Sequence, residues 1–220
     1  MYKSRFDILL SDCMEMHSLE EDDQDEEETV EVESVDDKPK VKKRPYASGV
    51  LPISFVNGKC VFLLGEDLKS GFSDLGGKAE RYDTSSAECA AREFYEETLG
   101  QSIGNKQMLQ RLQSRAILLE GRTANQYKYI MFVTEIPFDA SLSKYFKRAI
   151  AFLKSRGLAK MHVEKKTLRW FTLQEMLEAP KRKVFENTLL QNMETITEIG
   201  QCTPSSWNEM CRRVNDGRCR

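Results

Sequence analysis

Three glutamates, Glu93, Glu96 and Glu97, stand at i, i+3 and i+4 behind the double glycine Gly76-Gly77, in the stretch GGKAERYDTSSAECAAREFYEETLG. At about 3.6 residues per turn, a helix projects all three carboxylates from one face. Like charges at this spacing cost an isolated helix roughly 0.2–0.5 kcal/mol per pair. No lysine lies one turn away to offset them, and Arg92 is the cation beside the cluster. The chain has to bring something positive to this face. Crowded carboxylate oxygens suit hard divalent cations such as magnesium or manganese, which use their remaining positions to hold substrate phosphates. The plainer reading is a solvated acidic face, as most charge runs are, but it leaves the glycines and the arginine unexplained.

With those residues in place, the segment resembles the Nudix box, the signature of hydrolases that cut a diphosphate linked to another group. Its usual form is G-x(5)-E-x(7)-R-E-U-x-E-E-x-G-U, with U a bulky aliphatic. Gly77 matches the opening glycine, Arg92 and Glu93 the R-E pair, Phe94 the first U position, and Glu96 and Glu97 the E-E pair. The first acidic position holds Asp83, one extra residue separates it from Arg92, and the closing glycine, Gly100, comes one place late. The insertion, among Thr84, Ser85 and Ser86, falls in the turn before the helix, where it leaves the spacing of the glutamates intact.

The resemblance implies an α/β fold, a mixed sheet sandwiched between helices as in the Nudix α/β/α sandwich. It implies one to three magnesium or manganese ions held by Glu93, Glu96 and Glu97, with the backbone of Gly76 completing the shell. Arg92 is expected to orient the carboxylates through a contact that falls to Asp83 or Glu80. The general base of many relatives comes from a late loop ahead of a tryptophan-bearing strand, a place taken here by Glu164 in HVEKKTLRWF, with Glu97 and Glu120 as alternatives. His162 reads as packed or surface, and Cys89 as a small packed hydrophobe. Lys78 and Arg81 are candidates for phosphate, and Lys165 and Lys166 form one of several basic clusters that suit it. Tyr127, Tyr129 and Phe72 can stack on a base or serve as core.

Composition enters through the charge. From Glu15 to Asp37 there are thirteen acidic residues and no lysine or arginine, so residues 1–40 are expected to be a disordered acidic arm. From Lys38 to Arg220 there are 31 Lys and Arg against 20 Asp and Glu, a net of +11. This basic body, with the clusters KVKKR, KYFKR and KRK, attracts polyanions. Capped RNA is therefore the leading expected substrate, with removal of the cap as a nucleoside diphosphate. Dinucleoside polyphosphates, diphosphoinositol polyphosphates and nucleotide sugars follow, and a non-catalytic RNA-binding module is the reading from another class. The forms SDLGGKAE and AAREFYEETLG also resemble Nudix proteins of large DNA viruses.

The 220 residues are expected to hold one domain over 41–200, with 201–220 a basic tail or a short packed helix. No run of eighteen apolar residues occurs, and MYKSRFDILL lacks the features of a signal peptide, so a soluble cytoplasmic protein without membrane contact is expected. The six scattered cysteines form no C-x-x-C pair, which argues against zinc or a disulfide framework. Strands are predicted over 47–55 and 59–66, joined by the hairpin signal Asn57-Gly58, and over 115–121 and 126–136. Helices are predicted after Thr84, Ser85 or Ser86 up to Gly100, over 141–156, and beyond Glu186, and a strand turning into a helix over 167–177.

Overall fold

A computed structural model describes residues 46–218. The acidic arm and the KVKKR cluster lie outside them. Strands β1 (Tyr46–Val56) and β2 (Lys59–Asp67) form the hairpin. Asn57 and Gly58 take φ of 50° and 76°, the mirror-image turn that matches the twist of paired strands.

β1 is the spine of a seven-stranded mixed sheet. Along one edge it runs parallel to β6 (Lys128–Glu135), which pairs antiparallel with β5 (Ala116–Arg122). Along the other edge its first half pairs with β4 (Leu75–Lys78) and its second half with β2. Pro52 lies between the two registers, where the ladder changes partner. β2 also carries β3 (Gly71–Ser73) and β7 (Lys165–Phe171).

Alternation along the strands supplies two layers. Val50, Leu63 and Phe132 are buried on the side covered by α1 (Ser86–Glu97), α2 (Asn105–Ser114) and α3 (Leu142–Ser155), with the short α4 (Ala159–His162) after them. Leu51, Ile53, Phe62, Leu64, Met131 and Val133 join the opposite core. That core is closed by α5 (Leu173–Glu178), α6 (Lys183–Gln191), α7 (Met193–Gly200) and α8 (Pro204–Arg218), through Met176, Phe185, Leu189, Ile196, Ile199 and Trp207. The fold is an α/β sandwich, as expected. Among the described residues no helix is long and apolar enough to cross a membrane.

Gly76 and Gly77 are required by packing rather than by backbone conformation. They sit in β4, paired with Gly49 and Ser48, and neither takes a positive φ. Close approach, not a turn, demands them. A Cβ on Gly76 would run into the backbone of Ser48 and Gly49, and one on Gly77 would strike the Glu93 carboxylate.

Candidate active site

α1 starts where the inserted turn ends. Ser85 is the N-cap, its hydroxyl accepting from the Glu88 amide at 3.2 Å, while the Glu88 carboxylate accepts from the Thr84 amide and hydroxyl at 2.7 and 2.6 Å. The helix ends just before Leu99 and Gly100, at φ of 50° and 59°. Cys89, Ala90 and Phe94 face the core, and the neighbouring face carries the acids.

Arg92 is buried and reaches oxygens of four residues. Its guanidinium donates to Asp83 at 2.9 Å, to Glu96 at 2.9 Å and to the Lys78 carbonyl at 3.0 Å, and stands 3.1 Å from Glu93. Asp83 is long enough to make the contact. The Glu80 side chain has no part in it; its backbone amide donates to Asp83 at 2.8 Å and fixes the loop. Glu97 points the other way, accepting from the Gly76 amide at 2.8 Å and pairing with the Lys165 ammonium at 3.0 Å. Lys165 also meets Asp67 and donates to Ser73 at 2.8 Å. Alongside, the Tyr129 hydroxyl donates to the buried Asp74.

Lys165 overturns the expectation of a phosphate-binding Lys165–Lys166 pair. The β2–β7 register shifts between Glu66 and Asp67, pairing them with Thr167 and Lys165 and skipping Lys166. Such a bulge re-aims side chains. It turns Lys165 inward to 1% exposure, while Lys166 stays exposed and pairs with Glu66 at 3.0 Å. The positive partner that the acidic face needs thus comes partly from a strand about seventy residues away in sequence.

Two cations do not balance this many acids. Burial pushes the Glu97 carboxyl up to about 8 against the pull of Lys165, with Glu93 and Glu164 pushing further. Burial likewise raises Glu93 to about 7 against the pull of Arg92, and raises Glu96. Glu164 acts on all three glutamates from an exposed position ahead of β7. Burial holds Asp74 at about 6. Among the described residues no three His, Cys, Asp or Glu side chains converge as a ready metal cluster. Glu93 and Glu96 are turned to Arg92, and Glu97 to Lys165. The donor chemistry, carboxylate oxygens along one face of α1 beside the backbone of Gly76, is of the kind a hard divalent cation takes.

The other expected site residues are spread around this centre. Lys78 and Arg81 are exposed where the chain leaves β4, with the Lys78 carbonyl tied to Arg92. Tyr127 is 42% exposed in the β5–β6 turn, just before the strand expected to hold it. Tyr129 is core, and Phe72 packs edge-on against Phe171 at 4.8 Å. Glu120 pairs with Lys128 at 2.6 Å on the exposed hairpin. His162 is half-buried in α4, and Cys89 is buried, its thiol pushed up to about 12 by burial. Sequence reasoning missed Asp67, Ser73, Asp74 and the inward role of Lys165. Only the run SDLGG carried a local signal, two polar residues held next to glycines that permit close approach.

No protein-family model matches the chain, and no curated protein matches it. Solved structures do. An Ap4A hydrolase binary complex from C. elegans is 14% identical, covering 69% of this chain and 98% of its own, with a TM-score of 0.44. The NUDIX domain of Shewanella oneidensis NrtR, complexed with ADP ribose, is 13% identical over 72% of this chain and 93% of its own, at 0.44. A NUDIX hydrolase from Nitrosomonas europaea is 16% identical over 73% and 75%, at 0.41. At this level of likeness, function has to come from the site itself.

Proposed function

We propose that the chain is a divalent-metal-dependent Nudix hydrolase that cleaves the pyrophosphate bond of a nucleoside diphosphate linked to another group, with capped RNA as substrate. One observation carries the reading. Glu93, Glu96 and Glu97 share a face of α1 with Glu164 acting on all of them, while Asp83, the Lys78 carbonyl and the Gly76 amide fix Arg92 and Glu97 in place. A magnesium or manganese ion held by those glutamates would neutralise the diphosphate and lower the pKa of an attacking water.

The chain's own residues do the rest. Glu164, exposed and next to the acids, accepts the proton of the water, with Glu97 as the alternative base. The water oxygen bonds to phosphorus as the bridging oxygen leaves with the neighbouring phosphate, so a cap departs as a nucleoside diphosphate. Arg92 holds Glu93 and Glu96 in position and does not touch substrate. Lys78 and Arg81 meet the phosphates, and exposed Tyr127 offers a face to a base. Lys166, two residues after Glu164 in sequence, adds positive charge at the rim. A net of +11 from Lys38 onward favours a polyanionic substrate over a small neutral one.

The test is hydrolysis of cap-labelled RNA, free cap dinucleotide, diadenosine polyphosphates, ADP-ribose and a diphosphoinositol polyphosphate, with magnesium or manganese, beside a Glu96→Gln/Glu97→Gln variant. Glutamate-dependent release of a nucleoside diphosphate from capped RNA is the expected result. Preference for a free small molecule replaces the substrate and keeps the reaction. Turnover that ignores both glutamates, or none at all, removes the reading.

A further inference from the structure

α3 repeats the spacing of α1 with the opposite sign. Lys144, Lys147 and Arg148 stand at i, i+3 and i+4, all exposed, over an open groove of about 500 Å³ that they line together with Ala140, Ser143 and Ala151. None of the three makes an ion pair with a described residue. They are not needed to hold the helix, because Leu142, Phe146, Ala149 and Ile150 anchor its other face. Three like charges, one turn apart and uncompensated, ask for an anion with repeated charge. The small residues Ala140, Ser143 and Ala151 flank them in the lining and let a chain approach closely.

Two residues before Ala140 in the chain stands an aromatic platform. Phe138, 41% exposed, lies 5.3 Å from the Trp170 ring, and the Trp170 indole N–H donates to the Asp139 carbonyl at 3.1 Å. Basic groups next to a fixed, exposed aromatic suit a single-stranded polynucleotide, which offers both phosphates and bases. An inositol polyphosphate or a free polyphosphate would leave the ring unused. The groove is also close to the reacting centre. Ser143 lies 3.2 Å from Thr167, and Glu164 is three residues earlier in the chain, roughly 10 Å in extended backbone.

We propose that this groove binds the single-stranded RNA body of the substrate, its phosphates on Lys144, Lys147 and Arg148 and a base against Phe138, while the terminal diphosphate occupies the α1 site. The placement of the diphosphate rests on the reading above; the groove's affinity for RNA does not.

The experiment uses the full chain and an uncapped, unstructured single-stranded RNA of about twenty nucleotides, with binding followed by fluorescence anisotropy across a salt series. A Lys144→Glu/Lys147→Glu/Arg148→Glu variant is compared with a control that reverses three exposed lysines elsewhere, Lys59, Lys69 and Lys106. Three lost phosphate contacts lower the slope of log affinity against log salt by about 2, and at about 50 mM salt the affinity falls at least tenfold in the groove variant and much less in the control. Phe138→Ser weakens single-stranded binding while sparing a duplex of the same length. Turnover of a free cap dinucleotide stays unchanged in the groove variant, and KM for long capped RNA rises. Equal loss in groove variant and control, or no loss in either, overturns the groove. If the groove variant loses RNA while the wild type hydrolyses nothing on the panel, the groove stands and the hydrolase reading falls.

Discussion

α1 and α3 carry like charges at the same helical spacing and resolve them in opposite ways. On α1 the charges are buried or half-buried, and the fold supplies counter-charge from Arg92 on the helix itself and Lys165 on a distant strand, yet still leaves carboxyls raised to about 7 and about 8. On α3 the charges face solvent over a groove, and no described residue answers them. Burial separates the two cases. A buried like-charge cluster forces the structure to organise around it, whereas an exposed one costs a few tenths of a kcal/mol and can be left for a ligand.

The largest effect expected on this contrast is on turnover. Glu96→Gln with Glu97→Gln should lower kcat by about two orders of magnitude or more while the far-UV spectrum stays native, because the amides cannot supply the charge a divalent cation needs. Rates near wild type would make the α1 face as dispensable as any surface run.

Next in size is stability. Arg92→Met leaves buried Asp83 without its partner and should cost about 3–5 kcal/mol in chemical denaturation; Lys165→Met, which strands the Asp67 carboxylate, should cost a similar amount. Gly77→Ala pushes a Cβ into the Glu93 carboxylate and should cost about 1–3 kcal/mol, with activity falling as Glu93 is displaced. No change in either property would mean that the close β4–α1 contact is not needed.

The contrast extends to pH. In the folded chain Glu93 and Glu97 keep their protons up to about 7 and about 8, against an ordinary value of 4.5, so between those limits the folded state binds more protons than the unfolded one. Stability of metal-free protein should therefore fall as pH rises through that window. Magnesium should flatten the fall, and the double glutamine variant should show much less of it; thermal melts across the pH series read both. The smallest effect belongs to α3, where Lys147→Ala should shift stability by about 0.5 kcal/mol or less at any pH in that range.

The elements legible in the sequence were those fixed by local chemistry. Asn57-Gly58 admits the positive φ of its turn, the runs 47–55 and 126–136 alternate or are β-rich, and Ser85 caps a helix whose acids keep strict spacing. What stayed hidden depends on pairing between distant segments. β3 and β4 are three and four residues long and exist only because β2 and β1 pair with them. α2 follows the N-cap Gly104, which offers no side-chain cap, and buries little beyond Met108 and Leu112, so it carries a weak signal of its own. Lys165 looks like half of a basic pair until a bulge against β2 turns it inward. In the same way, the Asx-Leu-Gly-Gly stretch shows two glycines but not that Glu93 and Gly49 crowd them.

The central claim is that the acidic face of α1, and not the acids at large, is a divalent-cation site. Manganese binding followed by electron paramagnetic resonance at pH 7.5 tests it on three proteins: wild type, Glu96→Gln/Glu97→Gln, and the α3 charge-reversal variant. Uptake by the wild type and the α3 variant, lost in the double glutamine variant, is the predicted result; equal uptake by all three would contradict it.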